Sequence, residues 1–346
     1  MDNNINTPLV SLIVPCFNMG EKIHRLLDSI LIQSYSILQV IVVDDGSTDN
    51  SALVIKSYER KFSEKGIVLD YIYRANGGLG AAINTGLKHV KGEFFCWPDA
   101  DDFLTKDSVE KKMNFLLEHP NYGFVRSDAA IFFEDDLTKQ VDCMTRKSPN
   151  RFKEDNLFED YILEKDILFC PGCHMVRTAS FKEVNPQMDI FEGRRGQNYQ
   201  LLLPMLYRFK FGYIDECLYN FIYYSNSMSR GDDSFAKWEE RNSGLQSYIL
   251  ETLDRMDMTP DDYSYYKQLT LQKYIYQNAC RAYDFGLRKE YIHYRKALVD
   301  NRFVSAISKL DYMLKIPFAF KLRSLYMSLI RKIKSNITMY KLLRYD

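Results

Sequence analysis

The segment Trp97-Pro98-Asp99-Ala100-Asp101-Asp102 sets three carboxylates directly behind the apolar run Phe94-Phe95-Cys96. Hard divalent cations such as Mg²⁺ or Mn²⁺ take oxygen ligands, and a bound one commonly keeps waters while sharing phosphate oxygens. A cluster of this kind suits a diphosphate. The plainer alternative is an acidic turn in which Asp107 caps a helix beginning at Ser108, but that leaves the upstream trio unexplained. A second acidic stretch, Asp44-Asp45-Gly46-Ser47-Thr48-Asp49, follows the apolar run Val40 to Val43. A carboxylate there can accept a hydrogen bond from a nucleobase imide or a ribose hydroxyl, and Gly46 permits a sharp turn. The same residues also read as a turn followed by a capped helix. In Asn76-Gly77-Gly78-Leu79-Gly80 the glycines would let the backbone pass close to a ligand and offer N–H groups to phosphate. The stretch lacks the Lys-Ser/Thr of a P-loop and does not complete GxGxxG.

These clusters need a frame that brings them together. The run Leu9 to Val14 stops at Pro15, and Val40 to Val43 stops at the acidic turn, so each reads as a buried parallel strand. Between them Ile23, Leu26, Leu27, Ile30 and Leu31 recur at helical spacing, which makes a βαβ unit. The spacing further predicts a helix after Thr48-Asp49, a strand over Val68 to Tyr73, a helix opened by the glycine-rich turn and running through Lys88, and a strand from Glu93 to Trp97. In an open parallel sheet ligands bind outside the carboxyl ends of the strands. The polar clusters after Val14, Val43, Tyr73 and Trp97 all fall at such ends. From about residue 130 to 230 the alternation weakens, which suits a substrate-binding half. Beyond Gly231 helical periodicity dominates, so the expected division is 1–230 and 231–346.

The 346 residues suit a large α/β domain with an appendage. Lysine plus arginine and aspartate plus glutamate both number 46, which argues against a nucleic-acid binder with a basic excess over the whole molecule. Seven scattered cysteines do not make a disulfide framework in a chain of this size, and a reducing compartment fits best. No apolar run approaches the ~18 residues of a membrane span. The expectation is a cytoplasmic protein, soluble or peripheral at the inner face of the plasma membrane.

In their order, the motifs resemble the family 2 glycosyltransferases of the GT-A fold. The match runs over residues 8 to about 230, through Ser11-Leu12-Ile13-Val14-Pro15-Cys16-Phe17-Asn18, Val42-Val43 with the acidic turn to Asp49, Asn76-Gly77-Gly78 with Ala82 and Asn84, Gly92-Glu93, and Asp99-Ala100-Asp101-Asp102. The resemblance implies an α/β fold, Rossmann-like with a mainly parallel sheet and flanking helices. It implies an inverting sugar transfer from a nucleotide-diphosphate sugar, with uridine diphosphate favoured, to a glycan or lipid-linked acceptor. Pro15 and Phe17 would line the base pocket, Asp45 would contact the base, Asn76, Gly77 and Ala100 would border the donor, Asp99 would lie near the ribose and diphosphate, and Asp101, with Asp99, would hold Mn²⁺ or Mg²⁺. One departure stands out. Where many members carry Glu-Asp as the catalytic base, this chain has Gln197-Asn198, and neither amide takes a proton at neutral pH. Glu192 is then the nearest candidate base, with Asp189 behind it, and Arg194 and Arg195 could bind the diphosphate or an anionic acceptor.

Cys170-Pro171-Gly172-Cys173-His174 spells a haem-attachment pattern and contains CxxC, but it has neither an export signal nor a second ligand pair. The resemblance puts Gly172 and His174 beside the acceptor; a structural turn is the alternative. Asn226-Ser227-Met228-Ser229-Arg230 corresponds to a loop that can close over the donor phosphates, or to a linker. From Lys309 onward, basic and apolar residues interleave as in interfacial helices, which suits an anionic membrane surface or a packing helix. Two other readings remain. A sugar-phosphate nucleotidyltransferase should carry Gly, Arg and Lys after the first strand, which Pro15-Cys16-Phe17-Asn18-Met19 does not. A catalytically silent nucleotide- or glycan-binding module would account for the missing Glu-Asp.

Overall fold

In a computed structural model the chain forms two compact units, Met1–Ser225 and Asn226–Asp346. The described residues are 7–145, 148, 152–153, 157–165, 170–193, 196–224 and 234–313. The expected boundary near 230, the Asn226–Arg230 loop, Arg194, Arg195 and the basic stretch from 314 onward lie outside them.

The first unit opens with β1 (Val10–Cys16), α1 (His24–Leu31), β2 (Leu38–Asp44), α2 (Ser51–Ser57), α3 (Glu59–Glu64), β3 (Val68–Tyr73), α4 (Leu79–Leu87) and β4 (Phe94–Cys96). β5 (Phe103–Leu104), α5 (Ser108–Glu118), β6 (Tyr122–Phe133), β7 (Asp142–Cys143), α6 (Leu157–Leu163), β8 (His174–Arg177), α7 (Thr178–Val184), α8 (Gln197–Arg208) and β9 (Lys210–Tyr223) complete it. The strands make one sheet in the order β3-β2-β1-β4-β8-β6-β9-β5, with β7 paired to β6. The first four positions are parallel, as the βαβ reading requires. Beyond them the sheet is mixed, because β8, β5 and β7 run antiparallel to their neighbours while β6 and β9 are parallel.

Local sequence explains the first half well. β2 is buried at every residue, its apolar run Val40 to Val43 flanked by the buried polar Gln39 and Asp44. α1 buries Leu26, Leu27 and Ile30 at the spacing read from the sequence. α4 packs so closely on β1 that a Cβ at Gly86 would come within 2.3 Å of the Ile13 side chain. Asp107 does precede α5, but its carboxylate makes no cap. It accepts from the Thr105 hydroxyl and pairs with Lys111 at 2.7 Å.

The second unit contains α9 (Phe235–Arg255), α10 (Pro260–Phe285), α11 (Arg288–Asp300) and α12 (Val304–Met313). Ser234 and Thr259 cap α9 and α10 through their hydroxyls, and Gly286 at φ 74° ends α10. Phe235, Ala282, Tyr291, Leu298 and Phe303 share its core. Among the described residues no helix is long and apolar enough to cross a membrane.

A buried polar knot holds the parallel strands in register. The Ser11 hydroxyl donates to Gln39 Oε1 at 2.7 Å and accepts the Gly92 N–H at 2.9 Å, while Gln39 Nε2 reaches Asp70 on β3. Ser11→Ala leaves a buried N–H without its acceptor, a loss of about 1–3 kcal/mol. Urea unfolding should show a lower midpoint at unchanged m-value, and an unshifted midpoint would mean that the knot adds nothing to stability.

Candidate functional site

Parallel pairing sets Cys16, Asp44 and Tyr73 side by side at the carboxyl ends of β1, β2 and β3. Their loops interlock. Asn18, at φ 53°, accepts the Thr48 N–H on its side-chain oxygen, and its own N–H donates to the Ser47 hydroxyl. Asp44 is consumed locally, accepting from the Ser47 N–H and the Tyr71 hydroxyl, each at 2.8 Å. Asp45 is buried and accepts the N–H groups of Gly77 at 3.0 Å and Gly78 at 2.7 Å, with the Arg74 guanidinium 3.3 Å away. The second acidic stretch and the glycine-rich turn, separate signals in the sequence, are therefore one structure. Gly78, at φ +87°, needs its missing side chain. Pro15 is half-buried on β1, and Phe17 and Asn76 are exposed at the same edge.

The acidic turn after β4 is held at three points by the strand that sequence reasoning missed, β9, and the residue after it. The Asp99 N–H donates to the Tyr219 hydroxyl at 3.1 Å, Asp102 Oδ1 accepts the Ile222 N–H at 2.8 Å, and the Asp101 carbonyl accepts from the Tyr224 hydroxyl at 3.1 Å. β5 then pairs with β9 directly. Ala100 is buried beneath the turn. Asp99 and Asp101 are half-buried and Asp102 is 1 % exposed. Burial, then repulsion from Asp101, pushes the Asp99 carboxyl up to about 7. Asp101 is also pushed up by burial, a shift opposed by Lys22 and Arg25. Asp102 rises through burial and the charges of the other two. Among the described residues none of the three has an ion-pair partner within 4.0 Å, and Asp102 Oδ2 is buried without a hydrogen bond.

That set of observations fits a cation. Carboxylates crowded out of water repel one another unless positive charge joins them, and the orphaned oxygen is an open acceptor. The three side chains do not form a closed cage, since no ligand oxygen from each of them shares a 4.8 Å cluster. The chemistry matches an ion held by one or two carboxylates and completed by waters and substrate phosphates. Lys22 and Arg25, which nothing in the sequence linked to this turn, flank it through Tyr224: Lys22 Nζ lies 3.6 Å from the ring centroid and Arg25 donates to the hydroxyl at 2.9 Å.

The segment before α8 lies along α4. The Asn84 amide clamps Ile190 through both its carbonyl and its N–H, and also reaches Glu192 Oε1 at 3.4 Å. Gly80 accommodates the Gly193 backbone, where a Cβ would approach to 2.8 Å. Glu192 is exposed at this crossing. Gln197 is buried and donates to the Gly193 carbonyl, bracing the loop, while Asn198 accepts from the Trp97 indole at 3.4 Å. The two amides thus have structural partners, Asn198's directly before the acidic turn.

Gly172 and His174 occupy places other than those expected of acceptor-facing residues. His174 is 2 % exposed, its ring near Phe124 and its Nε2 3.4 Å from the Tyr161 hydroxyl. The cause is β8, which runs through the middle of the sheet. Gly172 is buried against the Tyr219 ring, where a Cβ would come within 2.0 Å, and its carbonyl accepts from the buried Lys112 ammonium at 2.7 Å. The CxxC turn is thus a buried support for the tyrosine that holds Asp99.

Residues 11–184 match the family model described as glycosyl transferase family 2. A glycosyltransferase of Rickettsia prowazekii (strain Madrid E) is 38 % identical over 116 residues, which cover 34 % of this chain and 34 % of that protein, so the chain matches about a third of that relative's length. The putative glycosyltransferase EpsE of Bacillus subtilis (strain 168) is 27 % identical over 213 residues, 61 % of this chain and 72 % of that one. Among solved structures, Staphylococcus aureus TarS 1-349 in complex with UDP-GlcNAc superposes with a TM-score of 0.62 at 20 % identity over 94 % of this chain and 92 % of that one. The mannosyltransferase PcManGT from Pyrobaculum calidifontis, in complex with GDP-Man and Mn²⁺, gives a TM-score of 0.53 at 16 % identity over 95 % and 87 %. The expected GT-A fold with an added helical region is borne out.

The interior placement of His174 has a measurable consequence. Burial, with Arg126 and Lys112 nearby, pulls its pKa from 6.5 down to about 3. The folded state holds the neutral ring while the unfolded chain protonates below about 6.5, so stability from this residue is complete above that pH and declines as pH falls toward 3. Between pH 7 and pH 5 the loss should be about 2 kcal/mol. His174→Gln should flatten that part of the stability profile in denaturant titrations at the two pH values, and an unchanged slope would contradict the assignment.

Proposed function

The chain belongs to glycosyl transferase family 2, and from that premise we propose that it transfers a sugar from a nucleotide-diphosphate sugar, most favourably a uridine diphosphate sugar, to a hydroxyl of a glycan or lipid-linked acceptor with inversion at the anomeric carbon. The observation that carries the proposal is the carboxylate trio Asp99, Asp101 and Asp102, half-buried to buried at the end of β4, on the same sheet edge as Asp45 and the glycine-rich turn. UDP-GlcNAc in TarS and GDP-Man with Mn²⁺ in PcManGT support a nucleotide-sugar donor and a divalent cation.

In this reading Pro15 and Phe17 border the base and Asp45 accepts its imide N–H. Asp45 already accepts from Gly77 and Gly78, which orient its carboxylate, and its two oxygens keep lone pairs for a further donor. Asp101, with Asp99, would hold Mn²⁺ or Mg²⁺, which when bound neutralises the departing diphosphate. Lys22 and Arg25 add positive charge at the same edge. Tyr219, Ile222 and Tyr224 fix the turn before substrate arrives, so little reorganisation is left for the reaction. Glu192 is the proposed base for the acceptor hydroxyl; its contact with Asn84 holds it against α4.

Asp101→Asn should fold normally and lose cation-dependent donor binding together with most turnover. Calorimetry with UDP and GDP in Mn²⁺ is the check, and UDP should bind the wild type more tightly. Undiminished turnover of the variant without added cation would remove the metal from the mechanism.

A binding module without catalysis is the competing reading favoured by Gln197 and Asn198, whose amides serve structure. Single-turnover kinetics decide between the two. Glu192→Gln should lose about 10²–10⁴-fold in rate at unchanged donor affinity. Weakened donor binding with normal chemistry would make Glu192 a positioning residue, and a wild type silent toward every nucleotide sugar would favour the module.

A further inference from the structure

Three side chains from three strands converge in the second half of the sheet. Asp128 on β6, Cys143 on β7 and Cys217 on β9 each place a ligand atom within 4.8 Å of the other two. The two sulfurs are 2.9 Å apart. No motif announces the group, because 15 residues separate the first pair and 74 the second.

An irregularity in the ladder builds the convergence. β9 carries Asp215 and Glu216 as extra residues between the partners of Ser127 and Asp128, and this bulge brings Cys217 opposite Asp128. Backbone then aims the carboxylate: Asp128 Oδ1 accepts the N–H groups of Ala129 at 2.8 Å and Thr145 at 2.9 Å. Gln140 Nε2 lies 3.0 Å from Cys143 Sγ, an outer hydrogen bond of the kind that orients a ligand.

A disulfide or a bridging ion could join the sulfurs. Cys143 pairs with Ala130 and Cys217 with Asp128 on opposite sides of β6. Both cysteines are free, and their sulfurs, 2.9 Å apart, stand beyond the ~2.05 Å of a disulfide bond. A metal inserts two bonds of about 2.3 Å between the sulfurs and so sets them further apart than a disulfide would. It also gives Asp128 a use as a third ligand, since the two N–H groups it accepts both fall on Oδ1.

We propose that Asp128, Cys143 and Cys217 bind a borderline-soft divalent cation of the zinc type through one carboxylate oxygen and two thiolates, with water in the fourth position and both thiol protons released on binding. The site clips the two-residue β7 to the bulge of β9, two residues ahead of Tyr219. It is distinct in chemistry from the oxygen-ligated ion proposed at the acidic turn, because thiolates select zinc and carboxylates with phosphate select Mg²⁺ or Mn²⁺.

The test uses the full chain, reduced and stripped by chelator, titrated with zinc alone. One equivalent should bind, and it should persist in Asp101→Asn. Cys143→Ser and Asp128→Asn should lose it, and Gln140→Ala should weaken it about 10–100-fold. If the serine variant does not fold, cobalt(II) in the wild type should show sulfur-to-cobalt charge-transfer absorption. A wild type that takes up no zinc, variants that bind it undiminished, or a chain isolated with Cys143 joined to Cys217 as a disulfide would overturn the proposal.

Discussion

Three carboxylates that burial forces together make an energetic problem which the rest of the first unit is arranged around. Asp99, Asp101 and Asp102 stand at the end of β4, where desolvation raises all three and repulsion adds to it at Asp99 and Asp102. Left to itself such a turn would open toward water. It is held because β9, lying between β6 and β5, supplies a hydroxyl to the Asp99 N–H and an N–H to the Asp102 carboxylate. The length of β9, 14 residues, is what lets one strand pair with β6 and β5 and still reach the turn.

Support continues inward from that strand. The Tyr219 ring rests on Gly172, where no side chain fits, and the Gly172 carbonyl is fixed by Lys112 from α5. Burial lowers the pKa of that ammonium, and the neighbouring thiols of Cys96, Cys173 and Cys170 oppose the shift. An ion in such a place costs free energy unless it is hydrogen-bonded, so its retention there points to a task. The task visible in the structure is positioning the tyrosine beneath Asp99.

At the opposite side of the sheet edge, positioning is achieved with backbone. Asp45 collects two N–H groups from the glycine-rich turn, and Asn84 collects both polar groups of Ile190. Loops from three distant parts of the chain are thereby tied to α4 and to the ends of β1 and β2. An edge assembled in this way is held by its own hydrogen bonds, with no ligand needed to order it.

The sequence alone determined the parallel half and its polar ends, because those features are local: β2 carries the apolar run Val40 to Val43, α1 repeats at helical spacing, and β3 spans Val68–Tyr73 as read. The acidic trio and Asp45 were legible for the same reason, each standing directly behind such a run. The antiparallel strands β5, β7 and β8 were not, being two to four residues long and stabilised by partners far along the chain. Lys112 left a trace, since with Val109, Met113 and Leu116 it falls on the buried stripe of α5. Lys22, Arg25, Tyr219 and Tyr224 left none, and neither did the meeting of Asp128 with Cys143 and Cys217. Only the tertiary structure decided that His174 faces the interior and that Gln197 and Asn198 brace a loop, because side-chain partners are set by which strands and loops become neighbours, and that depends on contacts across the whole unit.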